Sequence, residues 1–268
     1  MKSLSLLLLL FLTISCGGNK SNEANVPNDQ AAALSLPDST TNLAIPNNTL
    51  SQEYTVLLIG NSHVASNNLP EIIKQLIETG KPKSEVNVER SEGFGYLADK
   101  VNDGITLEKI TSETWSHVIL QAQKYSQSGS VHYPTTAAES WVSAVKNVNA
   151  TPILFPEHPQ LNNPEEARYV HNIHFSIAQK QQSCVAPVGL GWDIVLATLP
   201  DLALHSADGN HAGYAGSYFT ALIFYQVITN ELADALPFMD TIPLSDLVQD
   251  QLGKIASQTL EQHQACDY

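Results

Sequence analysis

Positive charge is scarce in this sequence: thirteen lysines and arginines stand against twenty-seven aspartates and glutamates, a formal charge of −14. So acidic a chain is a poor match for nucleic acid or an anionic membrane surface, and no nucleic-acid partner is expected. Neutral or weakly charged substrates suit it better. Long apolar runs are missing too. The stretch from Leu4 through Ile14 is too short to span a bilayer comfortably, and no internal repeat is visible. Metal-ligand groupings are incomplete: His171 and His174, three apart, have no third partner at a telling spacing, and neither do Glu157 and His158. No metal or cofactor is expected.

What is present begins with Met1, Lys2 and Ser3 ahead of the apolar stretch, the pattern of an export signal. Leu12-Thr13-Ile14-Ser15-Cys16 resembles the lipobox of bacterial lipoproteins, which implies cleavage before Cys16 and lipid attachment to it. That places residues 1–16 as signal peptide and the chain as exported and lipid-anchored to the cell envelope, at the outer membrane or cell surface. Residues 17–53 are rich in Asn, Ser, Pro, Ala and Thr without sustained periodicity, as in a flexible tether. Residues 54–268 are enough for one domain with a good core. Cys184 and Cys266 lie in a compartment where a disulfide can persist, although Cys184 opens an apolar run that reads as a buried strand, and the pairing stays open.

Five apolar segments of strand length are legible: Tyr54 to Gly60, Glu85 to Glu89, His117 to Gln121, Thr151 to Phe155, and Cys184 to Val188. Most are continuously apolar, as strands covered on both faces are. Helices are expected from Leu69 to Thr79, Thr136 to Asn147 and Pro164 to Gln181, and throughout the region from Gly213 onward. The alternation indicates an α/β, three-layer, doubly wound sheet of about five parallel strands, whose working residues gather beyond the strands' carboxyl ends.

Two motifs stand where that rule directs attention. Gly60-Asn61-Ser62-His63 leaves the first strand, a position that presents a serine hydroxyl at the mouth of the sheet. Ser206-Ala207-Asp208-Gly209-Asn210-His211 is loop-like, with Asp and His spaced so that the carboxylate can orient the imidazole. Each alone is weak, since a serine after a strand is often only a helix cap. Together and in this order they resemble the SGNH/GDSL hydrolases, and the resemblance runs from about Val56 to Tyr225. It extends to a bacterial lipoprotein subgroup through Leu58-Ile-Gly-Asn-Ser-His63 with Asn68-Leu-Pro70, Val118-Ile-Leu-Gln121, Val185-Ala-Pro-Val-Gly189 with Trp192, Asp208-Gly-Asn-His211 and Gly216-Ser-Tyr218. The resemblance implies a flavodoxin-like fold, Ser62 as nucleophile, His211 as base and Asp208 as its orienting acid.

It also implies an oxyanion hole, and here the sequence departs from the family. Asn61 stands where the family name has Asp. The backbone N–H groups of Ser62 and of Gly93, or alternatively Gly95, are expected as donors. The usual Gly-x-Asn-Asp is replaced by Gln121-Ala-Gln123, so the side-chain donor is expected to be Gln121 in preference to Gln123, or to be missing. Trp115, Trp141 and Trp192 read as core, with Trp192 near the mouth. The expected activity is ester hydrolysis through an acyl-enzyme, with O-acetyl esters of carbohydrates as the favoured substrate. Acyl transfer, or a ligand-binding lipoprotein without chemistry, are the rivals.

The anchor is testable directly. Cys16→Ser should move the protein from the membrane pellet to the soluble fraction without altering turnover, because lipoprotein attachment depends on its acyl chains. A Ser variant that still pellets contradicts the lipobox reading.

Overall fold

A computed structural model describes residues 35–37 and 41–268 of the chain. The signal peptide, Cys16 and the first part of the expected tether lie outside the described residues. Five strands, β1 (Glu53–Ile59), β2 (Glu85–Arg90), β3 (His117–Gln121), β4 (Thr151–Phe155) and β5 (Cys184–Val185), form one parallel sheet in the order β2-β1-β3-β4-β5. This is the doubly wound α/β architecture. Chain direction across the sheet reverses between β1 and β3, and the carboxyl ends of strands at such a switch point are where sheets of this kind place their working residues.

The two-residue period of the strands separates two cores. Val56 and Leu58 of β1, Ile119 of β3 and Ile153 and Phe155 of β4 face one side, which is covered by α1 (Leu69–Gly80), α6 (Val188–Thr198), α7 (Tyr214–Thr229) and α8 (Asp246–Gln262). Leu57, Ile59, Val118, Leu120 and Leu154 face the other, beneath α3 (Ile105–Ser112), α4 (Thr136–Asn147) and α5 (Glu166–Lys180), with the single turn α2 (Leu97–Lys100) beside them. Both faces are therefore dry, which is why β1 and β3 read as unbroken apolar runs. Helix α7 is buried almost all round and lies between α1 and α8.

The structure corrects the sequence reading in four places. Residues 42–49 are docked, where a free tether was expected to run to residue 53: Lys146 Nζ donates to Asn42 Oδ1 (3.0 Å) and Leu43 O (2.7 Å), and Asn48 Nδ2 donates to Ser116 O (3.0 Å) and Thr151 Oγ1 (3.1 Å). Strand β5 stops at Val185, because Pro187 has no N–H to give a ladder and caps α6. Helix α6 itself was not among the expected helices. The C-terminal region is interrupted between α7 and α8: Asn230 ends α7 in the left-handed region (φ 55°), and only the short turn Ala233–Ala235 intervenes before α8.

Cys184 and Cys266 form a disulfide. The strand position of Cys184 proves no obstacle, because the C-terminal tail runs along the sheet edge and Val185 N donates to Ala265 O (2.7 Å). The bridge closes a loop of 82 residues, and restricting the unfolded chain in this way stabilises typical proteins by about 2–4 kcal/mol. Cys266→Ser should lower the free energy of urea unfolding by that amount. A loss below about 1 kcal/mol would mean that the bridge does not form in solution.

Candidate active site

Strand β1 ends at Ile59, and the chain turns through Gly60 and Asn61 into a 3-10 turn, Ser62–Val64. The turn is tight because β3 is close: a Cβ on residue 60 would lie 2.3 Å from Gln121 Oε1, so only glycine fits. Asn61 caps the turn, its side chain accepting from His63 N (3.0 Å), and Ala65 N donates to Ser62 O (3.1 Å). Ser62 is the first residue of the turn, where an N–H has no acceptor within the helix. Its hydroxyl is exposed beside the free N–H, the geometry a nucleophile and an oxyanion donor require.

The second loop is a small closed hairpin. His205 and Ala212 form an isolated antiparallel bridge, Ser206 N donates to His211 O (2.8 Å), and Gly209 turns the chain with φ 70°. Asp208 occupies the centre. Its Oδ1 accepts from Ser206 Oγ (2.7 Å), Asn210 N (2.9 Å) and His211 N (2.9 Å), and its Oδ2 lies 2.6 Å from His211 Nδ1. These bonds, the one from the His211 ring foremost, hold the Asp208 carboxyl well below the usual carboxylate range. An ionised carboxylate only accepts, so Nδ1 of His211 carries the hydrogen and Nε2 is left as acceptor in the neutral ring. That Nε2 is 2.7 Å from Ser62 Oγ.

Other contacts hold the two loops together. Asn67, with φ 52°, donates from Nδ2 to Ala212 O (2.8 Å) and Ser217 Oγ (2.9 Å), which ties the serine loop to the histidine loop. The segment after β4 supports the histidine loop from beneath: His158 Nε2 bonds Asn210 O (3.0 Å), Gln160 Nε2 bonds Asn210 Oδ1 (2.9 Å), and His205 Nε2 bonds Pro159 O (2.8 Å). His158 lies flat on Trp192 (3.9 Å, 9°), and His63 stacks on His211 (5.1 Å) and meets His158 edge-on (5.2 Å). Burial lowers His63 to about 4 and His158 to about 3, so both stay neutral around the base. None of Asn67, His63 or the His158–Trp192 pair was read as part of the site. The legible hint was the place of Trp192 after the fifth strand, near the expected mouth.

Three residues expected at the site therefore come together, Ser62, Asp208 and His211. Gln121 does not join them. Its side chain is fully buried: Nε2 donates to Glu157 Oε2 (2.7 Å) and Oε1 accepts from Asn61 N (2.9 Å), so its amide is engaged inside the fold and not at the surface where Ser62 stands. Gln123 is buried as well, with Nε2 bonded to Lys124 O (2.9 Å) and Pro134 O (3.2 Å). Ala122 between them adopts φ 74°, a left-handed conformation costing about 1–2 kcal/mol for a residue with a Cβ. This turn gives the loop after β3 a new direction, and the amide nitrogens of Gln121 and Gln123 both bond within the fold. Gly93 lies on the loop leaving β2 with φ 71°, where glycine is favoured, and its carbonyl is held by Lys100 Nζ (3.1 Å). Gly95 shows no such conformation. Glu157, set aside as an incomplete metal ligand, is instead buried behind Gln121, and burial raises its carboxyl to about 7.

Solved structures share this architecture. A protein from Slackia heliotrinireducens, described provisionally as an SGNH hydrolase, superposes with a TM-score of 0.52 at 23% identity, over 65% of this chain and 98% of its own. A DUF4886 family protein from Bacteroides uniformis gives a TM-score of 0.61 at 11% identity, over 80% of this chain and 97% of its own. No family model and no curated relative matches the sequence. At these identities the likeness is one of fold, shared with a protein described as an SGNH hydrolase.

The buried histidines set the acid limit of this arrangement. His158 (about 3), His117 (about 3) and His174 (about 4) are neutral in the fold, while the unfolded chain takes up their protons near 6.5. Folded values below unfolded ones mean stability that is complete above pH 6.5 and lost as pH falls. Each such group removes about 1.4 kcal/mol per pH unit, roughly 4 kcal/mol for three. Glu157, raised from 4.5 to about 7, opposes this trend between those values. Circular dichroism should show cooperative unfolding above about pH 4, given ordinary stabilities of about 5–15 kcal/mol. A fold intact at pH 3 would contradict burial of these rings.

Proposed function

We propose that the chain is a serine esterase, and the observation that carries this reading is the unbroken hydrogen-bonded series from Asp208 through His211 to Ser62 at the carboxyl end of the sheet. Ser62 Oγ attacks the ester carbonyl as its proton passes to His211 Nε2, and the carbonyl electrons move onto oxygen. Backbone N–H groups of Ser62 and Gly93 receive that oxyanion. Collapse of the tetrahedral intermediate expels the alcohol, which takes the proton from His211 and leaves Ser62 acylated. Water then attacks the acyl-enzyme with His211 again as base, and the acid leaves. Asp208 keeps the ring oriented and stabilises the imidazolium formed in each half.

For the substrate, O-acetyl esters of carbohydrates are the favoured class. Phe94 (60% exposed) and Tyr96 (41%) project from the loop after β2, and Lys124 after β3 lies 5.4 Å from the Tyr96 ring and 4.7 Å from that of Tyr133. Exposed aromatic side chains at the same end of the sheet as Ser62, with Arg90 over one face of Phe94 and Lys124 over one face of Tyr96, suit sugar rings on their other faces, and a lipid anchor on Cys16 would hold the enzyme at the cell envelope among such glycans. The engagement of both Gln121 and Gln123 within the fold favours the second reading, a ligand-binding lipoprotein without turnover.

Kinetics on a short activated acetyl ester and on acetylated polysaccharide decide between the two. Ser62→Ala and His211→Ala should each remove nearly all hydrolysis without loss of fold, a fall of about a thousandfold or more, with the double variant no worse. A Ser62→Ala protein keeping more than roughly a tenth of wild-type turnover would refute the nucleophile assignment.

A further inference from the structure

The two oxygen-facing and nitrogen-facing ends of the Gln121 amide are both used, and what they touch suggests why a glutamine stands there. Oε1 accepts from the backbone N–H of Asn61, the residue before Ser62, at 2.9 Å. Nε2 donates to Glu157 Oε2 at 2.7 Å. Glu157 stands just beyond β4, on the far side of β3 from β1, so the pair connects three neighbouring strand ends beneath the mouth. Gln121 is fully buried and Glu157 nearly so. The backbone N–H of Asn61 can only donate, so it takes the amide oxygen and leaves Nε2 for Glu157.

From this geometry we infer that Glu157 and Gln121 are positioning residues for Ser62, a buried relay that pins the peptide carrying the oxyanion-binding N–H. The inference rests on the serine-esterase reading above. Asn61 is held at both ends, its N–H by Gln121 and its side-chain oxygen by His63 N (3.0 Å), so the Asn61–Ser62 peptide between these anchors has little freedom. Gly60 completes the fit, since any side chain there would displace Gln121 Oε1. The buried pair is costly to desolvate, and its hydrogen bond offsets only part of that cost. Its presence is then better accounted for by the geometry it imposes than by stability. A hole resting on backbone donors alone depends on those donors being already aimed, because misplacement by about 1 Å can cost a hundredfold in rate.

The test separates positioning from stability. Gln121→Met/Glu157→Met replaces the pair by apolar side chains of similar length. Because the Asn61 N–H loses its acceptor, the variant should melt somewhat below the wild type but stay folded at assay temperature, and its kcat on an activated acetyl ester should fall about tenfold to a hundredfold with KM within about twofold. Glu157→Gln keeps an oxygen for Gln121 Nε2 and should hold kcat within about threefold of wild type. A double variant with wild-type kcat overturns the relay. If that variant does not fold, Gln121→Asn, whose amide is withdrawn by one methylene, takes its place: the same fall in kcat is expected, and wild-type kcat overturns the proposal. Ser62→Ala run alongside keeps the two ideas apart. Wild-type turnover in Ser62→Ala defeats the esterase reading itself, whereas its loss beside an unimpaired relay variant defeats the relay alone.

Discussion

Ser62 and His211 are 149 residues apart in the chain, and the 2.7 Å bond between them forms only because two short loops are held still by unrelated means. The serine loop is set by the close approach of β1 and β3, where Gly60 leaves room for the Gln121 side chain. The histidine loop is set by its own hairpin bonds and by the Asp208 carboxylate, which accepts from two backbone N–H groups, a hydroxyl and the ring. Asn67 then joins the loops at Ala212 and Ser217. Remove either support and the bond would depend on two exposed side chains finding each other, which exposed polar pairs do poorly.

The layer beneath the site is polar where a sheet of this kind is usually apolar. Glu157, Gln121 and His158 are buried and His63 is half-buried behind exposed Ser62 and Asp208 and half-buried His211. The neutral rings of His63 and His158 pack against His211 and Trp192 without adding charge, so an imidazolium forming at His211 meets neutral neighbours and one carboxylate. A second cation there would oppose proton uptake by the base. The arrangement keeps the electrostatics of the site simple at the expense of acid stability, since those same rings must charge when the chain unfolds below pH 6.5.

How much of this was legible in the sequence follows from which forces are local. The strands could be read because both faces of the sheet are dry, and Asp208 and His211 because a three-residue spacing on a turn constrains where a carboxylate and a ring can meet. Helix α6 was hidden by Gly189 and Gly191, whose purpose is close packing against Ala167 and Glu157 O, and against Phe219, contacts made by distant parts of the chain. The Cys184–Cys266 bridge depends on a tail that pairs with the sheet edge, again a tertiary fact. For Gln121 the residue type was visible and its direction was not. Only the structure shows the left-handed turn at Ala122 and the buried carboxylate that draws the amide inward. The docking of residues 42–49 was masked by a composition that suits a tether and a strap equally well.

The central claim is that Ser62 is an activated nucleophile, and covalent trapping addresses it without any assumption about the natural ester. The pure protein would be treated with a fluorophosphonate and its adduct located by peptide mass spectrometry. The account predicts one label per chain, on the peptide holding Ser62, formed far more slowly when His211 is replaced by alanine. A protein that takes up no label, or takes it up at another residue with Ser62 untouched, would contradict it.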